Sequence, residues 1–479
     1  MSCPIAARIS FRSLRKAAER RSIKLSIDWE NMPEEMLQQI EEVRKSLEKT
    51  EKGFTRQTVE NCTIAMEKDP LLSGAFCWNI LTERPDIVKD LGWYREEPGI
   101  TDSDMSHLIL YLEKNYGLTS EKNVQHALDV VIANHHYHPV CDYLNALEWD
   151  GQERVHYALH HFLGADTSDL TYESLKIFML GAVHRVFLLG CKFEIMLCLV
   201  GDQGAGKSSF FRFLAIKDEW FSDDLKKMDD ENVYRKMQGH WIIEMAEMLG
   251  TASAKSVEEI KAFLSRQKES YKTPYAKYSR DRKRQCVFVG TSNKQRFLPL
   301  DRTGNRRFFP VQINMEQAEV HVLDNEAESR KYMDQLWAEI MVLYKSGDWS
   351  LKLPSKLSHK MDLHRIDFMA EDTLTGVIQA WLDSCSEDYV CTRMIYNRAM
   401  NMPSDPDRKS ISEINDVMNN TIDGWLPGPS SHRFDGVYGT QRAWHRSDRV
   451  NESEPPPPKS EDPFDGFMTI GEQEELPFL

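Results

Sequence analysis

The chain has 479 residues, enough for about two to four domains, because single hydrophobic cores stop growing well below this size. Its hydrophobic fraction of 41% and charged fraction of 28% are typical of a soluble globular protein. No apolar run approaches the roughly 20 residues of a membrane-spanning helix. The net charge of −15 argues against a protein that coats nucleic acid with its whole surface, although it permits a local basic channel. Nine cysteines without a Cys-x-x-Cys pair favour neither a zinc site nor a disulfide framework, and they indicate a reducing cytoplasm.

The first 53 residues are predicted to form a basic, helical segment. Residues 8–24 carry seven cations and one acid, a composition shared by mitochondrial transit peptides, DNA-contacting helices and ordinary solvated helices. Targeting is the least favoured of these, and a solvated helix is the simplest interpretation. Apolar residues at helical spacing predict one helix over residues 34–49.

Residues 54–145 are predicted to be a mainly helical N-terminal domain, because short helical runs alternate there with turns. His135, His136 and His138 cluster near its end without an acidic or cysteine residue at ligand spacing. A packed loop explains this cluster better than a metal site does.

In residues 146–350 the sequence pattern is different: apolar runs of strand length alternate with amphipathic helices, which is the pattern of an α/β domain. Residues 371–446 are predicted to form helices followed by short strands. The length of this segment suits a winged helix. Residues 447–479 include four consecutive prolines, and the last thirty residues hold eight acids against one lysine. This composition predicts a disordered, acidic and proline-rich tail.

A phosphate-binding loop (P-loop) is predicted directly after the apolar run 194–200. Its sequence has the form G-x-x-x-x-G-K-[ST], and a helix opens after it. The predicted nucleotide-binding residues are Gly201, Asp202, Gln203, Gly204, Ala205, Gly206, Lys207, Ser208 and Ser209. The glycines let backbone N–H groups close around phosphates, and the helix N-terminus adds its positive dipole end. We expect Lys207 to reach the β- and γ-phosphates of ATP, and the Ser208 hydroxyl to ligate Mg²⁺.

Two further strand ends are predicted to complete this site. The apolar run 241–244 ends in Glu244, which is expected to position Mg²⁺ or to activate the attacking water. Glu247 shares the site if the backbone turns there, so the division of roles between the two glutamates stays open. Exposure at a helix start is the alternative for both. The run 286–292 ends at Asn293, whose side chain is expected to contact the γ-phosphate or orient water, the role called sensor 1.

Paired arginines, Arg306 and Arg307, follow the third strand. Their position suits an arginine finger, which in a ring points into the neighbouring subunit's site and contributes roughly 10³–10⁵ in rate. The two arginines are equal candidates for the finger. Whichever of them is not the finger is expected to form a plain salt bridge.

A basic segment at residues 271–284 separates the second strand from the third and carries six cations and three tyrosines against one acid. Cations neutralise phosphates and aromatic faces stack on bases, as in single-strand-binding proteins. In a ring ATPase a hairpin at this place projects into the central pore, and a solvated surface loop is the alternative. The predicted DNA contacts are Lys272, Tyr275, Lys277, Tyr278, Arg280, Arg282, Lys283 and Arg284.

In their order along the chain, these motifs resemble those of the virulence-associated protein E family, ATPases of phages and pathogenicity islands. The resemblance extends over roughly residues 58–445. The motifs that carry it are His138-Pro139-Val140, Tyr143-Leu144-Asn145, Trp149-Asp150-Gly151, Gly190-Cys191-Lys192, the P-loop, Trp220-Phe221-Ser222-Asp223, Trp241-Ile242-Ile243-Glu244, Ile260-Lys261-Ala262-Phe263-Leu264-Ser265, Pro274-Tyr275, Gly290-Thr291-Ser292-Asn293 and Thr303-Gly304-Asn305-Arg306-Arg307-Phe308.

The resemblance implies an α/β P-loop core of the AAA+-like, superfamily 3 helicase type, with ATP and Mg²⁺ as cofactors and a hexameric ring as the working form. It also implies ATP-driven translocation on single-stranded DNA at a replication origin or fork, in the cytoplasm of a bacterial host. Many relatives carry an N-terminal primase. This chain shows no acidic-pair signature of one, so a primase supplied in trans is expected.

The final residues, Gln473-Glu474-Glu475-Leu476-Pro477-Phe478-Leu479, resemble a peptide that binds the bacterial sliding clamp, and also the acidic ends of single-strand-binding proteins. Both kinds of peptide dock a disordered end into a pocket. A featureless acidic tail is the alternative.

A DNA helicase is the leading functional hypothesis. An origin-binding or regulatory ATPase that switches an assembly without unwinding, and an RNA- or packaging-directed ring motor, use the same chemistry and stay open. Residues 371–446 serve any of these functions by binding duplex origin DNA or by packing on the ring. Their candidate duplex contacts are Arg393, Arg398, Arg408 and Lys409.

Overall fold

The computed structural model describes residues 32–225, 233–246, 254–271, 280–298, 300 and 305–447. The basic residues at 8–24 and the docking peptide predicted at 473–479 lie outside this part of the chain. Two compact units are present, residues 1–370 and 371–479. Among the residues described, no helix is both long and apolar enough to cross a membrane.

The first part of unit 1 is mainly helical and contains a small sheet. Strand β1 lies between β2, which is antiparallel to it, and β3, which is parallel to it. The Thr101 hydroxyl and the Asp104 carboxylate form a capping box at the start of helix α3. The elements are α1 (Glu34–Ser46), α2 (Val59–Lys68), β1 (Phe76–Asn79), β2 (Arg84–Ile87), α3 (Asp102–Tyr116), α4 (Glu121–Asn134), β3 (His136–Tyr137) and α5 (Pro139–Asn145).

Helix α1 belongs to the same core as the helices that follow it. Ile40 and Val43 are buried in one cluster with residues of α2, α3 and α4. The apolar side of an amphipathic helix must be covered by a partner, and here the partner is the helical domain itself. The domain boundary predicted at residue 53 was therefore wrong, because it divides a single core.

A five-stranded parallel sheet with helices on both faces forms the centre of unit 1. The strand order is β10-β4-β9-β6-β5, and every neighbouring pair is parallel. The elements are α6 (Ala158–Leu163), α7 (Asp169–Phe187), β4 (Met196–Val200), α8 (Lys207–Leu214), β5 (Phe221–Ser222), α9 (Val233–Met237), β6 (Ile242–Ala246), α10 (Ala254–Leu264), β7 (Lys268–Tyr271), β8 (Arg280–Lys283), β9 (Val287–Ser292), β10 (Phe308–Gln312), α11 (Glu326–Ser346) and α12 (Ser355–Ile366).

The two faces of this sheet have separate hydrophobic cores. All five residues of β4 are buried, and successive side chains point to opposite faces. Leu197 and Leu199 pack with residues of α7, α8 and α11, whereas Cys198 packs with residues of α9 and α10. Burial on both sides explains why the strands have continuous apolar sequences rather than alternating ones. An α/β core with flanking helices is thus established for this part of the chain.

Strands β7 and β8 form a separate antiparallel hairpin between α10 and β9, with Lys268 opposite Lys283 and Tyr271 opposite Arg280. The residues between them, 272–279, lie outside the described part of the chain. The hairpin leads directly into β9, so its base is continuous with the central sheet.

Unit 2 has its own core. Three strands form an antiparallel sheet in the order β11-β13-β12, and Ile378, Ile414 and Trp444 are buried together. The elements are α13 (Thr373–Ser384), β11 (Tyr389–Val390), α14 (Thr392–Met394), a π-helical turn (Ile395–Ala399), α15 (Arg408–Asn420), β12 (Trp425–Phe434) and β13 (Gly439–Arg446).

Candidate nucleotide-binding site

The predicted site residues meet at the carboxyl edge of three adjacent parallel strands. Strand β4 leads into the P-loop, β6 carries Glu244, and β9, which lies between them, ends one residue before Asn293. Because parallel strands end at the same edge of a sheet, this arrangement brings together residues that are far apart in sequence. Ligands of open α/β sheets bind at such an edge.

The P-loop has the backbone conformation that its glycines allow. Gly204 and Gly206 have φ angles of +83° and +75°, in the left-handed region that residues with a Cβ rarely adopt. Gly206 is the N-cap of helix α8, so the first N–H groups of this helix face the loop. Backbone donors and the positive end of the helix dipole are therefore directed at one place.

The Lys207 ammonium group is buried within the loop. Its Nζ donates to the carbonyl oxygens of Gly201 and Asp202, both at 2.7 Å, and to Asn293 Oδ1 at 2.9 Å. The contact with Asn293 links the P-loop to the end of β9. Two residues that are predicted to serve the γ-phosphate are thus already within hydrogen-bonding distance of each other.

Glu244 lies beside the P-loop serine and is almost completely buried. Its Oε1 accepts hydrogen bonds from Ser208 Oγ at 2.7 Å and from Thr291 Oγ1 at 2.5 Å. Its Oε2 is buried and has no hydrogen-bond partner among the described residues. Burial raises the pKa of this carboxyl group, and the two hydroxyl hydrogen bonds only partly oppose that rise.

The oxygen atoms around Glu244 fit a magnesium ion. Mg²⁺ in phosphate-transfer sites takes oxygen ligands, commonly one or two protein groups together with phosphates and water. The Ser208 hydroxyl and the unpartnered Glu244 Oε2 are groups of this kind, and they lie next to the P-loop. Glu247, the second predicted carboxylate, lies outside the described residues.

The cavity over the P-loop has a further wall that the sequence did not indicate. It is lined by residues 203–209 together with Ala246, Thr291 and Asn293, and on the other side by His321 and Leu323. These two residues belong to the loop between β10 and α11, which has no recognisable motif. No signal in the sequence could have identified them.

The two candidate arginine-finger residues differ in their surroundings. Arg307 Nε lies 3.1 Å from Glu194 Oε2 and donates to Ser265 Oγ at 3.0 Å, and one-fifth of its side chain is exposed. The Arg306 side chain is 71% exposed, and its guanidinium lies 3.5 Å from the other Glu194 oxygen. Arg307 therefore has the surroundings of a structural ion pair, whereas most of Arg306 faces solvent.

The predicted DNA contacts on the hairpin fall into three groups. Lys272, Tyr275, Lys277 and Tyr278 lie outside the described residues, and for Arg280 only the backbone position in β8 is described. Lys283 is exposed. The Arg282 side chain is mostly covered and forms an ion pair with Glu83, a residue that follows β1.

Arg284 does not face solvent. Its side chain is fully buried, forms an ion pair with Glu269 and lies 4.6 Å over the Phe263 ring. Its guanidinium also donates to the Phe263 carbonyl oxygen at 2.5 Å. The prediction that Arg284 contacts DNA was wrong, because this arginine holds the base of the hairpin against α10.

Of the three clustered histidines, His138 forms a packed junction between the helical domain and the sheet, whereas His136 is exposed. His138 is buried, and its Nδ1 accepts from the Cys141 N–H at 3.3 Å at the start of α5. Its Nε2 lies 2.9 Å from Gln285 Oε1, beside β9. Burial lowers the pKa of His138, which favours the neutral ring. His135 Nε2 lies 3.0 Å from a Glu67 carboxylate oxygen.

The parallel sheet and the residues at its carboxyl edge define an α/β protein with an NTPase-like core. Residues 144–369 match the family model of the virulence-associated protein E-like domain. The match supports the resemblance that the motifs carry, within narrower limits than the predicted 58–445.

Two solved structures of the NrS-1 C terminal region are also similar to this chain. Both have 13% sequence identity with it and cover 78% of this chain and 96% of their own, with TM-scores of 0.44 and 0.42. No curated protein matches the sequence.

Proposed function

We propose that the protein is an ATP-dependent DNA helicase or translocase that acts in the replication of a phage or mobile element. One observation carries the proposal: Lys207, Ser208, Glu244 and Asn293 meet at the carboxyl edge of adjacent strands, linked by hydrogen bonds of 2.7–2.9 Å. These are the side chains needed to hold a nucleoside triphosphate and its metal ion.

Each of these residues has a role that follows from its position. Lys207 exchanges its backbone acceptors for β- and γ-phosphate oxygens, and Asn293, already next to its ammonium group, lies where it contacts the γ-phosphate or the attacking water. Ser208 and Glu244 are the residues that would hold Mg²⁺. A bound Mg²⁺ neutralises charge that develops on the phosphate oxygens. Ionised Glu244 accepts a proton from, or orients, the attacking water.

A ring oligomer explains the position of Arg306. The Arg307 carbonyl accepts a hydrogen bond from the N–H of Met196, the first residue of β4, whereas the P-loop follows the last residue of that strand. The arginines thus lie at the opposite edge of the sheet, roughly 13 Å from their own P-loop at about 3.3 Å per strand residue. Arg306 is exposed there, where a neighbouring subunit can be reached, and we assign it as the arginine finger.

The hairpin β7–β8 is the proposed grip on single-stranded DNA. It precedes β9, the strand that ends one residue before Asn293, so movement of the hairpin is connected through covalent structure to the nucleotide site. Lys283 is exposed at its base, and the sequence of residues 272–280 contains three further cations. Phosphate contacts by such residues give an affinity that falls with salt.

Unit 2 is proposed to be a winged helix that binds duplex DNA. Its order is helix, strand, helix, helix, strand, strand, and β13 lies between β11 and β12. Arg393 forms an ion pair with Asp405, and Arg398 lies 3.1 Å from Glu387, so acidic neighbours already engage both arginines. Arg408 and Lys409, exposed at the start of α15, are the proposed duplex contacts. A primase in trans and a host clamp bound by residues 473–479 complete the proposed partners.

ATP hydrolysis measured with and without single-stranded DNA tests this function, with Lys207→Ala as the control. We expect marked stimulation by DNA and loss of hydrolysis in the variant, because the variant lacks the phosphate-binding ammonium group. DNA-stimulated hydrolysis justifies strand-displacement assays on forked DNA. Hydrolysis that is indifferent to DNA would contradict the motor and favour a regulatory ATPase, and stronger stimulation by RNA would favour an RNA-directed motor.

A further inference from the structure

The loop between β10 and α11 is fixed on both sides of the point where it passes the P-loop. At its start, Ile313 N–H donates to the Val200 carbonyl at 2.9 Å. Further along, the N–H groups of Glu319 and Val320 donate to the His161 carbonyl at 3.0 and 3.1 Å. Val322 is completely buried in the core beneath the sheet. His321, which lies between two anchored residues, therefore has a defined position.

The imidazole of His321 is oriented by its own loop. The Leu323 backbone N–H donates to His321 Nδ1 at 3.3 Å, and the His321 backbone N–H donates to Asp324 Oδ2 at 3.1 Å. A ring nitrogen that accepts a backbone hydrogen bond carries no proton, so in the neutral ring the proton is on Nε2. Within the described part of the chain, no protein acceptor meets Nε2.

The Nε2 atom faces the P-loop. A Cβ placed on Gly206 would lie 3.0 Å from His321 Nε2, which is closer than nearly all real Cβ contacts. The imidazole thus lies over the segment of the loop that precedes Lys207, where backbone N–H groups bind phosphates. Lys207 and His321 line the same cavity.

We propose that His321 contacts the nucleotide, and that its Nε2–H donates to an oxygen of the phosphate chain held by the P-loop. This inference rests on the proposed nucleotide site and adds a residue to it. The ligand is a nucleoside di- or triphosphate, and the bond joins a nitrogen donor to an anionic oxygen, which is among the stronger kinds of hydrogen bond in proteins. The fixed loop means that the donor is in place before the nucleotide binds, so little ordering of the side chain opposes binding.

Calorimetric binding of ADP and of pyrophosphate to the full chain tests the proposal in His321→Ala and His321→Gln. We expect His321→Ala to lower the affinity for both ligands by the same factor, roughly tenfold or more. This is the effect of losing one hydrogen bond to a charged group. His321→Gln regains part of the affinity because its amide donates from a similar distance. Val320→Ala, a change of a partly exposed neighbour on the same loop, should bind both ligands as the unmodified protein does.

Three results would overturn the assignment. Weakening of ADP alone would place the contact on the base or ribose, unchanged binding of both ligands would remove His321 from the site, and tighter binding would mean that the imidazole obstructs the loop. The proposed function is tested separately by Lys207→Ala, which must lose both ligands. If Lys207→Ala loses binding while His321→Ala keeps it, the nucleotide-site assignment stands and this inference fails. Unfolding curves of each variant show whether it is folded.

Discussion

Burial of the Glu244 carboxylate is expected to lower the stability of the protein at neutral pH, whereas the same carboxylate is expected to be needed for ATP hydrolysis. Its pKa is raised by burial, so the carboxyl group holds a proton more tightly in the folded state than in the unfolded state. A pKa above the unfolded value gives a contribution to stability that is largest at low pH and is lost as the pH rises through the folded-state pKa. At neutral pH we therefore expect Glu244→Gln to increase the free energy of unfolding of the nucleotide-free protein by roughly 1 kcal/mol, while abolishing ATP hydrolysis.

Denaturant unfolding at several pH values checks this expectation. The difference in stability between the two proteins should shrink as the pH falls from the raised folded-state pKa towards the ordinary glutamate pKa, and it should vanish below that range, where both have a neutral side chain. Glu219→Gln, which changes an exposed carboxylate in the same unit, should leave stability within about 0.5 kcal/mol at every pH. A Glu244→Gln variant that is less stable at pH 7 would mean that the hydroxyl hydrogen bonds outweigh the cost of burial.

Local motifs made some site residues predictable, and tertiary contacts determined the rest. The P-loop is contiguous, and its glycines, Lys207 and Ser208 have roles that depend on neighbours in sequence. His321 reaches the site only because a loop without a motif is held against the His161 carbonyl and the core. Arg284 was misassigned because a run of cations predicts a surface, whereas burial against Glu269 is a property of the folded pair.

The hairpin β7–β8 offers a direct test at the level of a structural element, because two adjacent cations at its base differ in burial. Arg284 is fully buried with Glu269, whereas Lys283 is exposed. Removal of one partner from a buried ion pair leaves the other charge uncompensated. We expect Arg284→Ala to lower the free energy of unfolding by about 3 kcal/mol or more. Lys283→Ala should change stability by less than about 0.5 kcal/mol.

DNA binding should reverse the order of the two variants, with the larger effect in Lys283→Ala. Lys283→Ala should weaken binding of single-stranded DNA and reduce the slope of log affinity against log salt by about one, as expected for one lost phosphate contact. Thermal unfolding and fluorescence anisotropy over a salt series measure the two properties. Equal stability of the two variants, or a salt slope unchanged in Lys283→Ala, would contradict the assigned positions.

Elements were predictable to the extent that their sequences are long and periodic. The strand before the P-loop and the hairpin before β9 could be placed because apolar runs and motifs delimit them. The small sheet of the helical domain could not, since β1 and β2 have four residues each and β3 has two, too few to show a period. Membership of α1 in the helical core is a matter of packing, which its amphipathic pattern leaves undetermined.

At the scale of the whole molecule, the proposed arginine finger requires an assembly of several copies. The P-loop and Arg306 lie at opposite edges of one sheet, so a single chain does not bring them together. A head-to-tail interface repeated around a ring joins one copy's P-loop edge to the next copy's arginine edge. Such a ring places every active site between two subunits, and hydrolysis then requires assembly.

Mixing of two inactive variants tests this arrangement. Lys207→Ala removes the P-loop lysine and keeps Arg306, while Arg306→Ala does the reverse. In a mixed ring, the intact P-loop of one variant meets the intact arginine of the other at roughly a quarter of the interfaces when mixing is random and equal. We therefore expect hydrolysis to return, to about a quarter of the unmodified rate, when the two proteins are unfolded, mixed and refolded or are expressed together.

Arg307, the other arginine of the pair, supplies the control. Arg307 pairs with Glu194 and Ser265, so Arg307→Ala should lower stability but, when folded, should hydrolyse ATP on its own without mixing. Recovery with Arg307→Ala and not with Arg306→Ala would exchange the two roles and keep the ring. No recovery with either variant, from mixtures that elute as one assembly in size-exclusion chromatography, would mean that neither arginine acts on a neighbouring site. Each subunit would then hydrolyse ATP with its own residues alone.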